Sequence, residues 1–410
     1  MSELSAGRRL SLYAAVGALA RAGSAGLPSA IILGVLAAGG AASRGSLLVA
    51  AVTAVAGITG PVMGAIVDRL QHPRRAFIIA ILVLISCASV LAVGIGEWSV
   101  AVLVTAAMIA GLAHPLFTGA WSAQLRRIVP GMAPARAYSV DTGTYNAADI
   151  VGPALVGFAY VFDAAFPGTS SMEAVVLLYV LAALVLPFVP IPARDRKRDP
   201  QPPPPRAMIK GLAVFWHSAS LRRSTVTNTI GYCAVAGIVL AAPLLGADLA
   251  GNAGVGALLL AVVAGGALCG SLILARRPLR RWGPGRIVVV TTFGVAVCLA
   301  LLAAVPSMEF AVPIAVLIGI FEAPQLTSVL QIRDREAPEG MRSLVFSAAT
   351  SLKTGAFSVG SVIAALLEPH GWRVVLLGSA CIALIAVITG LLIGAVPGRA
   401  PDAAGEMMGT

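Results

Sequence analysis

Four ionisable side chains, Arg21, Asp149, Glu322 and Lys353, stand well inside long apolar stretches of the sequence. A charge at the centre of a bilayer costs at least about 2.5–3.5 kcal/mol, so residues of this kind are functional by default. A carboxyl group held there can take up a proton, and neutralising it releases a cation that it was holding. The freed cation then binds substrate, or substrate competes for the same charge. His114 lies one residue before Pro115; histidine as a residue type titrates near neutrality, which makes it either a proton carrier or a hydrogen-bonded packing residue. Tyr145, Asn146, Asn228, Tyr232 and Gln325 can supply neutral hydrogen bonds to a ligand. No His-Glu-x-x-His, no Asp-rich pair and no Gly-x-x-x-x-Gly-Lys loop occurs, so the sequence points away from an enzyme, a metal site, a cofactor or an ATP-driven pump.

The stretches that hold these residues decide the class. The 410 residues are 58% hydrophobic and only 11% charged, with a mean hydropathy of +0.91. That leaves too little polar surface to cover a soluble globule. A hydrocarbon layer of roughly 30 Å needs about 20 apolar residues per helix, whereas a barrel strand needs about 10 of alternating polarity. The stretches are long and apolar on all sides, which predicts helices at roughly 10–37, 45–67, 75–94, 99–123, 138–161, 172–191, 222–246, 253–275, 286–305, 309–331, 343–367 and 372–396. The first of these is too long for a cleaved signal segment.

Charge is distributed with a period of two helices. Of the 29 Lys and Arg residues, all but four fall at the amino terminus, in the tail, or in the gaps after the second, fourth, sixth, eighth and tenth helices. The exceptions are Arg44 and Arg373 in the intervening gaps, and the buried Arg21 and Lys353. Basic loops are retained on the cytoplasmic side, so both termini are expected there, in a multi-pass protein of a cytoplasmic membrane. The Ala, Gly and Arg bias suggests a bacterial source. The net charge of +11 is explained by topology and anionic lipid, and no nucleic-acid partner is expected. Cys87, Cys233, Cys269, Cys298 and Cys381 lie inside apolar stretches without paired spacing and read as small core residues. Trp121 and Trp216 read as interfacial anchors.

The longest connection, 192–221, opens with the basic run Arg194 to Arg198 and continues into Pro202 to Pro205, the composition of a solvated linker. It divides the chain into an amino-terminal half, 1–191, and a carboxy-terminal half, 222–396, followed by a tail, 397–410. The halves resemble each other. Gln124-Leu-Arg126 leads through a Pro/Gly loop to Arg136, and Gln331-Ile-Arg333 leads through Pro338 and Gly340 to Arg342. Upstream, Gly111-Leu-Ala-His114-Pro115 faces Gly319-Ile-Phe-Glu322-Ala-Pro324, so a proline is expected to interrupt both helices. Internal duplication with interrupted helices is the mark of a secondary transporter whose site lies between repeats.

The loop Gly64-Ala-Ile-Val-Asp68-Arg69-Leu-Gln-His-Pro-Arg74-Arg75 resembles the signature loop of the major facilitator superfamily, with two departures: the Gly before the basic pair is missing, and the pair comes two residues late. The loop after helix eight, Arg276 to Gly283, looks like the degraded second copy. With twelve helices, a central linker and a six-plus-six repeat, the resemblance covers essentially the whole chain. It implies an all-α integral membrane fold of twelve transmembrane helices in two pseudo-symmetric six-helix halves. The fifth helix carries Gly152-Pro153 and Gly157, similar to the family's antiporter motif, although Val156 replaces its first Gly of a pair and packing alone would account for the string. In the fourth helix Ala107 stands where proton-coupled drug antiporters usually carry an Arg.

In the family's arrangement helix one neighbours helix five and helix ten neighbours helix eleven. The four buried charges lie at similar depth, roughly 15–20 Å from the cytoplasmic ends at about 1.5 Å per residue. One ion pair per half is therefore expected, Arg21 with Asp149 and Glu322 with Lys353, serving either coupling or static packing. The resemblance is strongest to the bacterial drug-efflux branch, which implies proton-coupled export of a small amphipathic molecule by a protein working as a monomer. Proton-coupled uptake of a small anionic metabolite is the alternative. The resemblance also makes Asp68 a latch between the halves, with Arg126 or Arg136 as its partner. An Asp68→Asn variant should insert normally, with unchanged expression in membranes, yet lose transport; full transport would refute the latch.

Overall fold

The computed structural model describes residues 2–130, 132, 134–163, 171–193, 218–276, 283–336 and 342–395. The linker residues 194–217 with Trp216, the loop 277–282 and the tail lie outside the described residues, as do the side chains of Asp68, Arg126, Arg136, Arg276 and Arg342. The first half comprises α1 (Ser2–Ala37), α2 (Ala42–Arg69), α3 (Pro73–Gly94), α4 (Val100–Pro115), a π-helical turn (Leu116–Ala120), α5 (Trp121–Ile128), α6 (Pro134–Asp163) and α7 (Ser171–Val185). The second comprises α8 (Ala219–Ala250), α9 (Ala253–Arg276), α10 (Pro284–Ala303), α11 (Met308–Glu336), α12 (Arg342–Leu367) and α13 (Trp372–Ala395). Counting α4, the turn and α5 as one span, the described residues hold twelve helices long and apolar enough to cross a membrane.

Local signals set the ends. Pro73 and Pro284 stand in the first turns of α3 and α10, where the missing N–H costs nothing. The Ser218 hydroxyl accepts from the Leu221 N–H and donates to Glu336, which ties the start of α8 to the end of α11. α8 stops at Gly251, whose φ of 68° suits glycine. The sixth span ends earlier than expected: α7 gives way at Leu186 to a single 3-10 turn across Pro187, and residues 190–193 are not helical. The proline expectation holds in one repeat only. At Pro115 the helix opens into the π turn, whereas α11 runs unbroken through Pro324.

The same packing scheme is written twice. In the first half α1 packs on α6 and α7, α4 on α2 and α3, and α3 on α7. In the second half the corresponding α8 packs on α12 and α13, α11 on α9 and α10, and α10 on α13. The expected neighbourhood of the tenth and eleventh spans is therefore slight: α11 sits against α9 and α10, while α12 lies against α8 and, across the molecule, α2.

Two seams join the halves, α2 with α12 and α6 with α9. Both are closed on the side away from the chain termini. The Ser46 hydroxyl donates to the Ser361 carbonyl and that of Ser358 to the Ala50 carbonyl, each at 2.8 Å. Gly57 lies so close to Gly355 that an added Cβ would meet its amide nitrogen at 2.7 Å. On the second seam Gly157 packs against Leu258 and Gly254. Towards the termini the same helices diverge: an added Cβ on Gly64, Gly143 or Gly265 would meet nothing within 4 Å. Small residues let backbones approach in this way where lipid gives no hydrophobic drive. Gly57→Val should wedge the closed seam. Spin labels at Ala41→Cys and His370→Cys, in a chain whose native cysteines are replaced by serine, should then report a longer interlabel distance.

Candidate functional site

Arg21 is almost completely buried, and its guanidinium is saturated. Its Nη1 donates to Asp141 Oδ1 at 2.8 Å and to the Thr144 hydroxyl. Nε donates to the Phe117 carbonyl at 2.9 Å, and Nη2 donates to Ser122 Oγ at 2.9 Å. The Tyr145 ring covers the group, 3.7 Å from its carbon. Asp141 is equally enclosed, accepting from Tyr13 Oη at 2.6 Å and from Ser122 Oγ at 2.7 Å. Trp121, fully buried and stacked on Tyr13 at 5.3 Å, closes the cluster and is a core residue rather than an interfacial anchor.

The expected Arg21–Asp149 pair is therefore replaced by Arg21–Asp141. Helical side chains lean toward the amino terminus of their helix; Arg21 lies back over Gly17, whose added Cβ would be 3.5 Å from Nη1. Its charge thus sits a turn below its Cα. Asp141 and Asp149 are eight residues apart, about 12 Å along α6, so the arginine reaches only the first. The nearness of Asp141 to the helix start hid it from the sequence reading; its signal was the small-polar run Asp141-Thr142-Gly143-Thr144 facing a lone arginine.

Asp149 is exposed in mid-span, on α6 where the helices diverge. Among the basic side chains Lys353 on α12 acts on it most strongly, ahead of Arg21. Lys353 also acts on Glu322 of α11 and lies over the Tyr232 ring of α8, 3.7 Å from its centroid. Among the described residues no salt bridge joins Glu322 to Lys353, so the second expected pair is also not closed. Instead one lysine, two acids and a tyrosine from four helices share one electrostatic neighbourhood, and it includes a residue of each half.

The remaining candidates divide between these clusters and the surrounding packing. Tyr145 belongs to the Arg21 cluster and reaches Ser122 at 3.4 Å. Gln325 donates to Thr292 at 2.7 Å, Asn228 is buried, and Asn146 is half-buried three residues before Asp149. His114 is half-buried beside Pro115. Gly152 abuts the Ala22 carbonyl of α1, Gly157 belongs to a seam, and Pro153 is buried between them, so the antiporter-like string packs helices. Of the loop residues, Arg74 donates to the Pro187 carbonyl, and Arg69 and Arg75 are exposed. Cys87 and Cys298 are core residues as expected, but Cys269 and Cys381 are exposed.

Comparison of the sequence with family models matches the Major Facilitator Superfamily over residues 13–361. The chain belongs to the Major Facilitator Superfamily. No curated protein matches the sequence. Among solved structures, the fold is similar to the nucleoside transporter NupG, as its D323A mutant, with a TM-score of 0.76 at 12% identity over 94% of this chain and 99% of that one. An auto-inhibited POT family peptide transporter gives 0.75 at 11% identity, covering 96% and 98%. A bacterial homologue of the human lysosomal transporter Spinster, inward-facing and unoccupied, gives 0.66 at 13% identity, covering 96% and 98%. At such identities the likeness shows the fold alone; the family match makes the protein a membrane transporter of the superfamily.

The two clusters of this superfamily member differ in enclosure: Asp141 is buried, whereas Asp149 is exposed. Asp141→Ala would strand a buried guanidinium and should cost roughly 3–5 kcal/mol in unfolding of the detergent-solubilised protein. Asp149→Asn, at an exposed position, should leave the unfolding midpoint unchanged.

Proposed function

We propose that the protein is a proton-coupled secondary transporter that exports a small amphipathic molecule by alternating access. The observation that carries this reading is the neighbourhood of Asp149, Lys353, Tyr232 and Glu322, which lies where the halves diverge and draws on both of them. Lys353 is held by a cation–π contact, worth about 0.5–2 kcal/mol, and by two acids at longer range. Protonation of Glu322 or Asp149 changes the charge that Lys353 feels, and a substrate can take the place of either partner. A rocking motion that separates α6 from α12 then changes both affinities together, which is the condition for coupling. The apolar walls of the spans suit a ligand with a hydrophobic body.

The basic loops support termini on the cytoplasmic side of a bacterial membrane, and on that reading the side of the termini faces the cytoplasm, from which a substrate would be exported. Each chain contains a complete site between its own halves, which suits a monomer. Uptake of a small anionic metabolite is favoured by one feature, Lys353, the cluster's single cation. Arg21 does not support that reading, because its donors are all engaged within the protein.

Proteoliposomes with an imposed pH gradient separate the readings. Export predicts substrate movement opposite to the proton flux; movement of an anion with the protons would identify the uptake reading. Glu322→Gln should fold normally and lose the pH dependence of transport, and Lys353→Gln should reduce transport at every pH. A Glu322→Gln variant with the parent's pH profile would show the cluster to be structural.

A further inference from the structure

Away from the site between the halves, a groove of about 650 Å³ opens on the lateral surface of the first half, between α2, α3 and α4. It exists because α2, which packs along α4, makes only slight contact with α3 near the basic loop. Its walls are apolar, with Ile66 of α2, Ile79 and Val83 of α3, and Ile109 and Leu112 of α4 facing the space. Its mouth is polar and basic: Arg69, Gln71, His72 and Arg75 line the end that lies on the side of the termini. Arg69, His72 and Arg75 are exposed. The groove follows α3 from Arg75 to Val83, about 12 Å at the helical rise, which is close to the roughly 15 Å of hydrocarbon in one leaflet.

We propose that this groove is a binding site for an anionic glycerophospholipid of the leaflet on the side of the termini. One acyl chain lies along Ile79, Val83 and Ile109, and the phosphate is held by Arg69 and Arg75. The charge pattern selects the occupant. An apolar slot alone would take any acyl chain, but two arginines at the depth of the headgroups attract a lipid of net negative charge over a zwitterionic one. Arginine holds phosphate through paired N–H donors, and these two, six residues apart across the α2–α3 turn, both line the slot. The site is distinct from the substrate neighbourhood: none of Asp149, Glu322, Lys353 or Tyr232 lines it.

The test uses the full-length protein exchanged into equal amounts of dioleoyl phosphatidylglycerol and dioleoyl phosphatidylcholine and examined by native mass spectrometry. Phosphatidylglycerol adducts should exceed phosphatidylcholine adducts. The double variant Arg69→Gln/Arg75→Gln should lower their occupancy about tenfold, while Arg44→Gln should leave it unchanged. Independently, an Ile79→Trp variant in nanodiscs should have its added emission quenched more strongly by phosphatidylglycerol brominated in mid-chain than by equally brominated phosphatidylcholine. Equal retention of the two lipids, unchanged retention in the double variant, or equal quenching would overturn the proposal. Displacement of the retained lipid by inorganic phosphate alone would overturn the acyl-chain contact.

Discussion

The structure depends on how one guanidinium is satisfied where no water is at hand. Arg21 occupies an apolar helix, and leaving any of its donors without an acceptor would cost more than the helix packing returns. Its acceptors come from three places at once: the Asp141 carboxylate and Thr144 of α6, the Ser122 hydroxyl of α5, and the Phe117 carbonyl of the π turn. The Phe117 carbonyl lies in the π turn behind Pro115, and a carbonyl's second lone pair can take the guanidinium donor, so the fourth span contributes backbone as well as side chain to burying the charge of the first. The consequence is mechanical: α1, α5 and α6 are cross-linked into one body, and the seams with the second half are left as the place where the protein can move.

The second half has no equivalent cross-link among its described residues, and the landmarks that align the repeats place Glu322 opposite His114. The two halves therefore share a packing scheme and differ in chemistry. The first spends its charge on rigidity, through Arg21 and Asp141. The second holds Lys353 over an aromatic face with acids at a distance, an arrangement with shallow alternatives rather than one deep minimum. An asymmetric division of this kind suits a transporter that rocks two bodies about a site, since the responsive charges must change partners while the frame that carries them must not.

Most of the fold was legible in the sequence because membrane insertion leaves few choices. Twelve long apolar runs and the alternation of Arg and Lys are direct consequences of hydrocarbon thickness and loop charge, and the family match extends from the first of these helices into the eleventh. The site was less fully legible. That Arg21, Asp149, Glu322 and Lys353 stand inside the spans follows from the sequence, but pairing them requires knowing where side chains point. Depth counted from Cα positions brought Arg21 to Asp149; the backward lean of a long helical side chain takes it to Asp141. The Glu322–Lys353 pair failed for another reason: chain neighbours need not be packing neighbours, and α12 turns to α8 and α2 instead of α11. Trp121 was misplaced because an aromatic near a span end is ambiguous until Tyr13 and Phe77 are seen around it.

The closed seam explains why the responsive cluster lies where it does. Ser46, Ala50 and Gly57 of α2 meet Gly355, Ser358 and Ser361 of α12 through backbone and hydroxyl groups alone, with no charge in the contact. Contacts of this kind are short-ranged and lose little when separated, because each hydroxyl finds another acceptor in water. Lys353 stands on α12 among these contacts: Gly57 also lies against the Ser351 carbonyl and Gly60 against its hydroxyl, so the seam runs on past the lysine. In the proposed cycle a change in the charge around Lys353 acts on a helix that belongs to the seam itself, so the coupling of a proton to a movement would draw on the electrostatic cluster and the glycine seam together.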